Sequence, residues 1–116
     1  MTPVWMRALA EEFWTEVRPA GGVVLIHTPT LWTDGDQMTL AWSPEDDLLS
    51  DEGETAFRLW AFGNESEDGC ARFAAPPVED APGGLGVCHP DSVQAVFSLL
   101  RAMQAADRWL TERRGA

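Results

Sequence analysis

The chain contains no lysine and no tyrosine, and only two of its 116 residues are cysteines. Because lysine is absent, all eight basic side chains are arginines, and they oppose 19 acids for a formal net charge of -11. A charge of this sign repels nucleic-acid phosphates and attracts cationic partners. We therefore expect no direct binding to DNA or RNA.

Long apolar runs are also missing. No segment reaches the roughly 18 apolar residues that a membrane-spanning helix needs, and residues 1–5 lack the basic region of a signal peptide. Cys70 and Cys88 provide no disulfide framework. We expect a cytoplasmic protein with reduced thiols and no membrane partner.

Metal ligands of the soft type are few and poorly spaced. His27, Cys70, Cys88 and His89 show neither the CxxC nor the HxxxH spacing of zinc sites. We therefore predict no bound metal and no cofactor.

The hydrophobic pattern predicts one α+β domain over residues 1–116, with helices on one face of a mostly antiparallel sheet. The predicted order is α-β-β-β-α-β-β-α, which means three helices and about five strands. The predicted segments are a helix from Pro3 to about Val17, strands at 23–28, 37–43 and 48–51, a helix at 54–62, strands at 70–75 and 85–88, and a helix from Pro90 to about Arg113. Met38, Leu40 and Trp42 share the face of their strand that we expect to be buried, and Phe57 and Trp60 are expected to face the core from the second helix.

Acidic residues are concentrated in the middle of the chain. Between Asp34 and Asp80, thirteen acids are opposed by Arg58 and Arg72 alone, whereas acids and arginines balance in the rest of the chain. This stretch therefore carries the whole charge imbalance.

Part of this acidic stretch, Ser50–Thr55, lies at a predicted strand-to-helix junction. Its simplest role is structural: Asp51 or Ser50 caps the helix, and Glu52 and Glu54 lie at the positive end of the helix dipole.

A metal site is the alternative interpretation of the same acids. The carboxylates of Asp34, Asp36 and Asp51 would bind a hard divalent cation and support phosphoryl transfer. Nucleases of the common restriction type place a lysine near their carboxylates, and this chain has no lysine.

Three short motifs carry a family resemblance: Thr28-Pro29 after a strand, Asp34-Gly35-Asp36 in the next loop, and Leu49–Thr55 before a helix that ends at Gly63. With these motifs in this order, the chain resembles the small bacterial and phage-associated proteins described as domain of unknown function 1828. The resemblance extends over about residues 17–110, with Ser50 where the family usually has threonine and with unusually many tryptophans. It implies a prophage or mobile-element context and no particular catalytic residue.

The combined interpretation is a non-enzymatic, phage-associated binding protein. It would inhibit a nucleic-acid-handling host defence protein, such as a CRISPR effector or nuclease, by presenting carboxylates in place of DNA phosphates. The predicted partner-binding residues are Trp32, Asp34, Asp36, Glu45, Asp46, Asp47, Glu65, Glu67 and Asp68. For Trp32, an exposed position among carboxylates and a position folded back onto the sheet are both consistent with the sequence.

Three alternatives stay open. They are the metal-dependent enzyme, an antitoxin-like regulatory module, and a homodimer with a contact through Trp109.

Overall fold

The computed structural model describes residues 3–13, 15–63, 67–81 and 84–114. Within these ranges the chain forms three α-helices and six strands, which confirms the predicted α+β class. The helices are α1 Val4–Glu12, α2 Glu54–Gly63 and α3 Val93–Arg114, and a 3-10 helix spans Glu67–Phe73. The strands are β1 Glu16–Ala20, β2 Val23–Leu31, β3 Gln37–Ser43, β4 Leu48–Ser50, β5 Glu79–Ala81 and β6 Gly84–Cys88.

The strands form one antiparallel sheet in the order β1-β2-β3-β4-β6-β5. Strand β4 pairs with β3 so that Ala41 lies opposite Ser50 and Ser43 lies opposite Leu48. The end of β4 therefore lies toward the start of β3. This register brings the loop before β3 and the segment after β4 to the same end of the sheet.

Strand β1 occupies a segment that the sequence analysis placed at the end of the first helix. Helix α1 ends at Glu12, and Ala20 of β1 pairs with Val23 of β2. Gly21 and Gly22 connect them with φ values of 53° and 87°. Two consecutive residues with positive φ form a tight hairpin turn whose twist suits antiparallel strands, and glycine adopts this conformation without steric cost.

The prediction of a strand at 70–75 is wrong, because Glu67–Phe73 forms the 3-10 helix. Cys70 and Phe73 are three residues apart and therefore lie on the same side of such a helix. Cys70 is buried, and Phe73 packs against the core. The spacing of these apolar residues arises from the 3-10 helix rather than from strand alternation.

The sheet face predicted to be buried is confirmed, since Met38, Leu40 and Trp42 all lie in the core. Helix α3 completes this core with side chains that recur at three- and four-residue intervals. They are Val96, Leu99, Met103, Ala106 and Leu110.

The predicted orientation of α2 is wrong. Phe57 and Trp60 are 54% and 64% exposed, whereas Arg58 and Leu59 are buried. The end of α2 packs closely on α3, since a Cβ at Gly63 would lie 2.8 Å from Leu110 Cδ2. A larger residue at position 63 would require Leu110 and Trp109 to shift, and the rings of Phe57 and Trp60 lie on the solvent side of α2.

No helix in the described ranges combines the length and apolar character required to cross a membrane.

Candidate functional site

Arg58 of α2 joins three carboxylates at one end of the sheet. Its Nη1 donates to Asp34 Oδ2 at 2.8 Å, its Nη2 donates to Asp36 Oδ2 at 3.0 Å, and its Nε donates to Glu54 Oε1 at 2.8 Å. The guanidinium carbon lies 4.3 Å from the centre of the Trp32 ring. We call these five residues the Arg58 cluster.

The loop between β2 and β3 is folded so that its acids meet the arginine. The Trp32 amide donates to the Asp36 carbonyl at 2.8 Å, and the Asp36 amide donates to Asp34 Oδ1 at 3.0 Å. The Thr33 amide donates to Asp107 Oδ2 of α3 at 3.1 Å. Hydrogen bonds at both ends of the loop thus fix Asp34 and Asp36 beside α2.

Trp32 is 2% exposed, which corrects its predicted role in partner binding. Its ring folds back into the core and is covered by the Arg58 guanidinium. Of the two positions considered for this side chain, the structure has the buried one. Trp32 therefore packs in the core beneath the Arg58 guanidinium and does not present its ring to a partner.

The Arg58 cluster keeps an excess of negative charge because three carboxylates share one guanidinium. The Arg58 side chain is 7% exposed, whereas those of Asp34, Asp36 and Glu54 are 39%, 73% and 42% exposed. Burial alone would lower the pKa of Arg58, but hydrogen bonds to Asp34 and Glu54 outweigh burial and raise it. The arginine therefore stays charged beneath a negative surface.

Asp51 links β4, α2 and β6 through its carboxylate. Oδ1 accepts the amides of Gly53 at 3.0 Å and Leu85 at 3.1 Å, and Oδ2 accepts the Thr55 amide at 3.1 Å. These bonds confirm the predicted cap of α2. Burial raises the pKa of Asp51, although the amide hydrogen bonds act in the opposite direction.

The acids at this end of the sheet surround an open recess of about 400 Å³. It is lined by Asp36, Gln37, Thr39, Asp51, Glu52 and Glu54. In the described part of the chain, no group of three or more His, Cys, Asp or Glu side chains is placed to hold a metal ion. The carboxylates considered for phosphoryl transfer have structural partners, since Asp34 and Asp36 bond Arg58 and Asp51 bonds backbone amides.

The predicted acidic loops do not form one continuous group. Asp34 and Asp36 precede β3, whereas Glu45, Asp46 and Asp47 follow it. Strand β3 has seven residues, which places the two acidic groups roughly 20 Å apart or more. The two acidic groups therefore lie at opposite ends of β3 and do not form one cluster.

In the turn between β3 and β4, which we call the distal turn, Asp47 has a structural role. Its Oδ1 accepts the Trp42 indole N–H at 3.1 Å, and its Oδ2 lies 3.2 Å from His89 Nδ1. The hydrogen bonds of Trp42 and then of His89 lower the pKa of Asp47. Asp47 thus anchors its turn to β3 and to the residue after β6.

The third predicted acidic loop is only partly described. Glu65 lies outside the described residues. Glu67 and Asp68 belong to the backbone of the 3-10 helix, and their side chains are outside the description as well.

The aromatic face of α2, formed by Phe57, Trp60 and Phe62, was missed by sequence reasoning. These side chains are 54%, 64% and 47% exposed. The ring of Phe57 lies 6.2 Å from Trp60 and 6.5 Å from Phe62, between ring centres. Phe57 follows Glu54 by three residues, so the α2 aromatic face adjoins the Arg58 cluster.

The soft ligands are dispersed. Cys88 Sγ donates to Glu79 Oε2 at 3.3 Å, and His27 Nδ1 lies 3.3 Å from Thr39 Oγ1. Cys88 therefore bonds a carboxylate rather than the neighbouring His89.

Comparison with family models, curated proteins and solved structures gives no match to this chain. The resemblance to the domain of unknown function 1828 family stays a prediction based on its motifs.

Proposed function

We propose that the chain is an acidic binding protein that recognises a cationic protein surface through the Arg58 cluster. One observation supports this proposal above others: three partly exposed carboxylates are held in place by a single buried guanidinium. The cluster presents negative charge outward from a fixed framework of hydrogen bonds.

A fixed framework favours binding because little side-chain freedom remains to be lost. Ordering a flexible side chain at an interface costs roughly 0.5–1.5 kcal/mol. Asp34, Asp36 and Glu54 have already been ordered by Arg58. The net charge of -11 would also accelerate encounter with a positive partner, most strongly at low ionic strength.

The partner class follows from the same chemistry. Proteins that handle nucleic acids carry basic grooves for phosphates, and carboxylates at the Arg58 cluster would occupy such a groove. The distal acids Glu45 and Asp46, at the other end of β3, would contact a second position along it. We propose inhibition of a host defence nuclease or CRISPR effector by a phage- or prophage-associated protein, in keeping with the motif resemblance.

The test compares two charge-matched double variants. Asp36→Asn with Glu52→Gln removes two charges at the acidic recess while leaving an oxygen for the Arg58 hydrogen bond. Glu11→Gln with Glu12→Gln removes two charges from the exposed side of α1. Binding to a purified DNA nuclease with a basic groove is measured by calorimetry at two salt concentrations, with duplex DNA as competitor.

We expect the recess variant to bind at least tenfold more weakly and the α1 variant to bind about as well as the parent chain. DNA should displace the parent chain. Equal affinity of both variants, or no competition by DNA, would contradict the proposal.

A further inference from the structure

Helix α2 exposes more aromatic surface than its length would lead one to expect. Aromatic side chains bury about 150–250 Å² each, so the half-exposed rings of Phe57, Trp60 and Phe62 leave roughly 350 Å² of ring surface in solvent. Apolar patches of this size on a monomer are often functional.

The charges beside the N-terminal part of the α2 aromatic face are negative. Glu54 lies one turn before Phe57, and Glu52 and Asp36 line the adjoining recess. Arg58, the base within this group, is buried and bonded to three carboxylates. A ligand that covers the rings therefore meets carboxylates at its border.

The chain itself shows how an arginine fits such surroundings. Arg58 stacks on Trp32 while its N–H groups bond carboxylates. Arg72 and Arg113 likewise lie 4.5 Å and 4.6 Å from the centre of the Trp109 ring. Guanidinium groups stack on indole faces more readily than ammonium groups, because they are planar and weakly hydrated.

We infer that the α2 aromatic face docks an arginine-bearing segment of the partner, with one guanidinium stacked on Trp60 and a neighbouring guanidinium hydrogen-bonded to Glu54, one turn before Phe57. This inference rests on the proposed function and names the chemistry that the cationic partner must present. It assigns the aromatic contribution to Trp60, in place of the buried Trp32.

A second copy of the chain fits this surface less well. Each copy carries a net charge of -11, and pairing two α2 faces would unite two acidic surfaces. The ring surface also falls well short of the roughly 800 Å² per partner that stable interfaces bury. A partner with positive charge removes the repulsion.

The probes for the test are decameric peptides of arginine and of lysine, which carry equal charge. Calorimetry measures the affinity of each peptide for the parent chain, for Trp60→Ala, for Leu31→Ala as an exposed apolar control, and for the Asp36→Asn, Glu52→Gln double variant. Circular dichroism establishes that every variant is folded, and light scattering establishes its mass.

We expect the parent chain to prefer the arginine peptide, and Trp60→Ala to bind it roughly five- to thirtyfold more weakly. The same variant should bind the lysine peptide nearly as well as the parent, and Leu31→Ala should match the parent with both peptides. The recess variant, Asp36→Asn with Glu52→Gln, should bind both peptides more weakly than the parent, and by a similar factor.

Two results would overturn the inference. If Trp60→Ala binds the arginine peptide as tightly as the parent chain does, the stacking contact on Trp60 is contradicted. The proposed function would still stand if the recess variant bound both peptides more weakly than the parent. A parent dimer that Trp60→Ala converts to a monomer would assign the α2 aromatic face to a second copy. Failure of the recess variant to weaken either peptide would contradict the proposed function itself.

Discussion

The guanidinium of Arg58 lies 4.3 Å from the centre of the Trp32 ring, although 26 positions of the chain separate the two residues. This contact joins α2 to the loop before β3. It also explains why a charged side chain is buried, since one face is covered by indole and the edge is bonded to carboxylates.

Replacement of Arg58 should destabilise the protein. In Arg58→Ala, Trp32 loses its cover and three carboxylates remain close together. We expect the free energy of unfolding to fall by about 2–3 kcal/mol, less than for a fully buried ion pair because the carboxylates are partly solvated. Urea unfolding measures the change, and exposed Arg101→Ala should alter stability by only about 0.5 kcal/mol. Equal effects of the two substitutions would contradict the structural role of Arg58.

Gly84→Ala should disrupt the cap of α2 without touching α2 itself. A Cβ at position 84 would lie 2.5 Å from Asp51 Oδ1 and 2.9 Å from Gly53 Cα. The carboxylate must then move, and its hydrogen bonds to the amides weaken. We expect a loss of about 2–4 kcal/mol, similar to Asp51→Ala.

A double-mutant cycle of Gly84→Ala and Asp51→Ala checks this mechanism by thermal unfolding. The combined loss should be clearly smaller than the sum, since both changes act on the same carboxylate. Additive losses would show that the glycine acts elsewhere.

Asp47 and Asp51 should titrate on opposite sides of the ordinary aspartate pKa of 3.8. The pKa of Asp47 is lowered, so its stabilising contribution is present above pH 3.8 and is lost as the pH falls through its folded pKa. The pKa of Asp51 is raised, so its ionisation reduces stability as the pH rises through its folded pKa.

Carbon NMR of the side-chain carboxyls measures both midpoints directly. Trp42→Phe removes the indole donor to Asp47 and should move the Asp47 midpoint upward while that of Asp51 stays in place. Coincident midpoints for the two aspartates would contradict the assigned hydrogen bonds.

The two thiols should differ in reactivity. Cys70 is 1% exposed, and burial, with nearby Asp51 and Asp80, raises its pKa to about 12. Cys88 is exposed, and its hydrogen bond to Glu79 raises its pKa. Ellman's reagent at pH 8 should therefore modify one thiol in the folded chain and both in urea.

Glu79→Gln provides the control for the exposed thiol. The variant removes the negative charge beside Cys88 and should accelerate its modification, with Cys70 still protected. An unchanged rate would contradict the Cys88–Glu79 contact.

Local patterns in the sequence predicted a large part of this fold. The alternation of Met38, Leu40 and Trp42 identified the buried face of β3, and the acids after β4 identified the start of α2. The Gly21-Gly22 pair fits a helix end as well as the β1–β2 hairpin that the structure shows, and the apolar spacing before it favoured a longer helix. Pro19 lies just beyond the predicted helix end, and in the structure it belongs to a strand at the border of the sheet.

The site was harder to predict because its contacts are distant in sequence. Nothing near Arg58 indicates that it bonds Asp34 and Asp36, so its burial was not foreseen and α2 was assigned the wrong inward side. The fit of Gly63 against Leu110 involves two separate helices. Both contacts depend on tertiary packing that periodicity within one helix does not reveal.

The open sheet ends in β1 on one border and β5 on the other. In β1, Pro19 has no amide hydrogen to offer an incoming strand, and Glu16 and Arg18 are exposed beside it. Strand β5 is three residues long and presents Glu79 and Asp80. Short, charged or proline-interrupted borders resist the addition of further strands, so this sheet is protected against edge-to-edge aggregation.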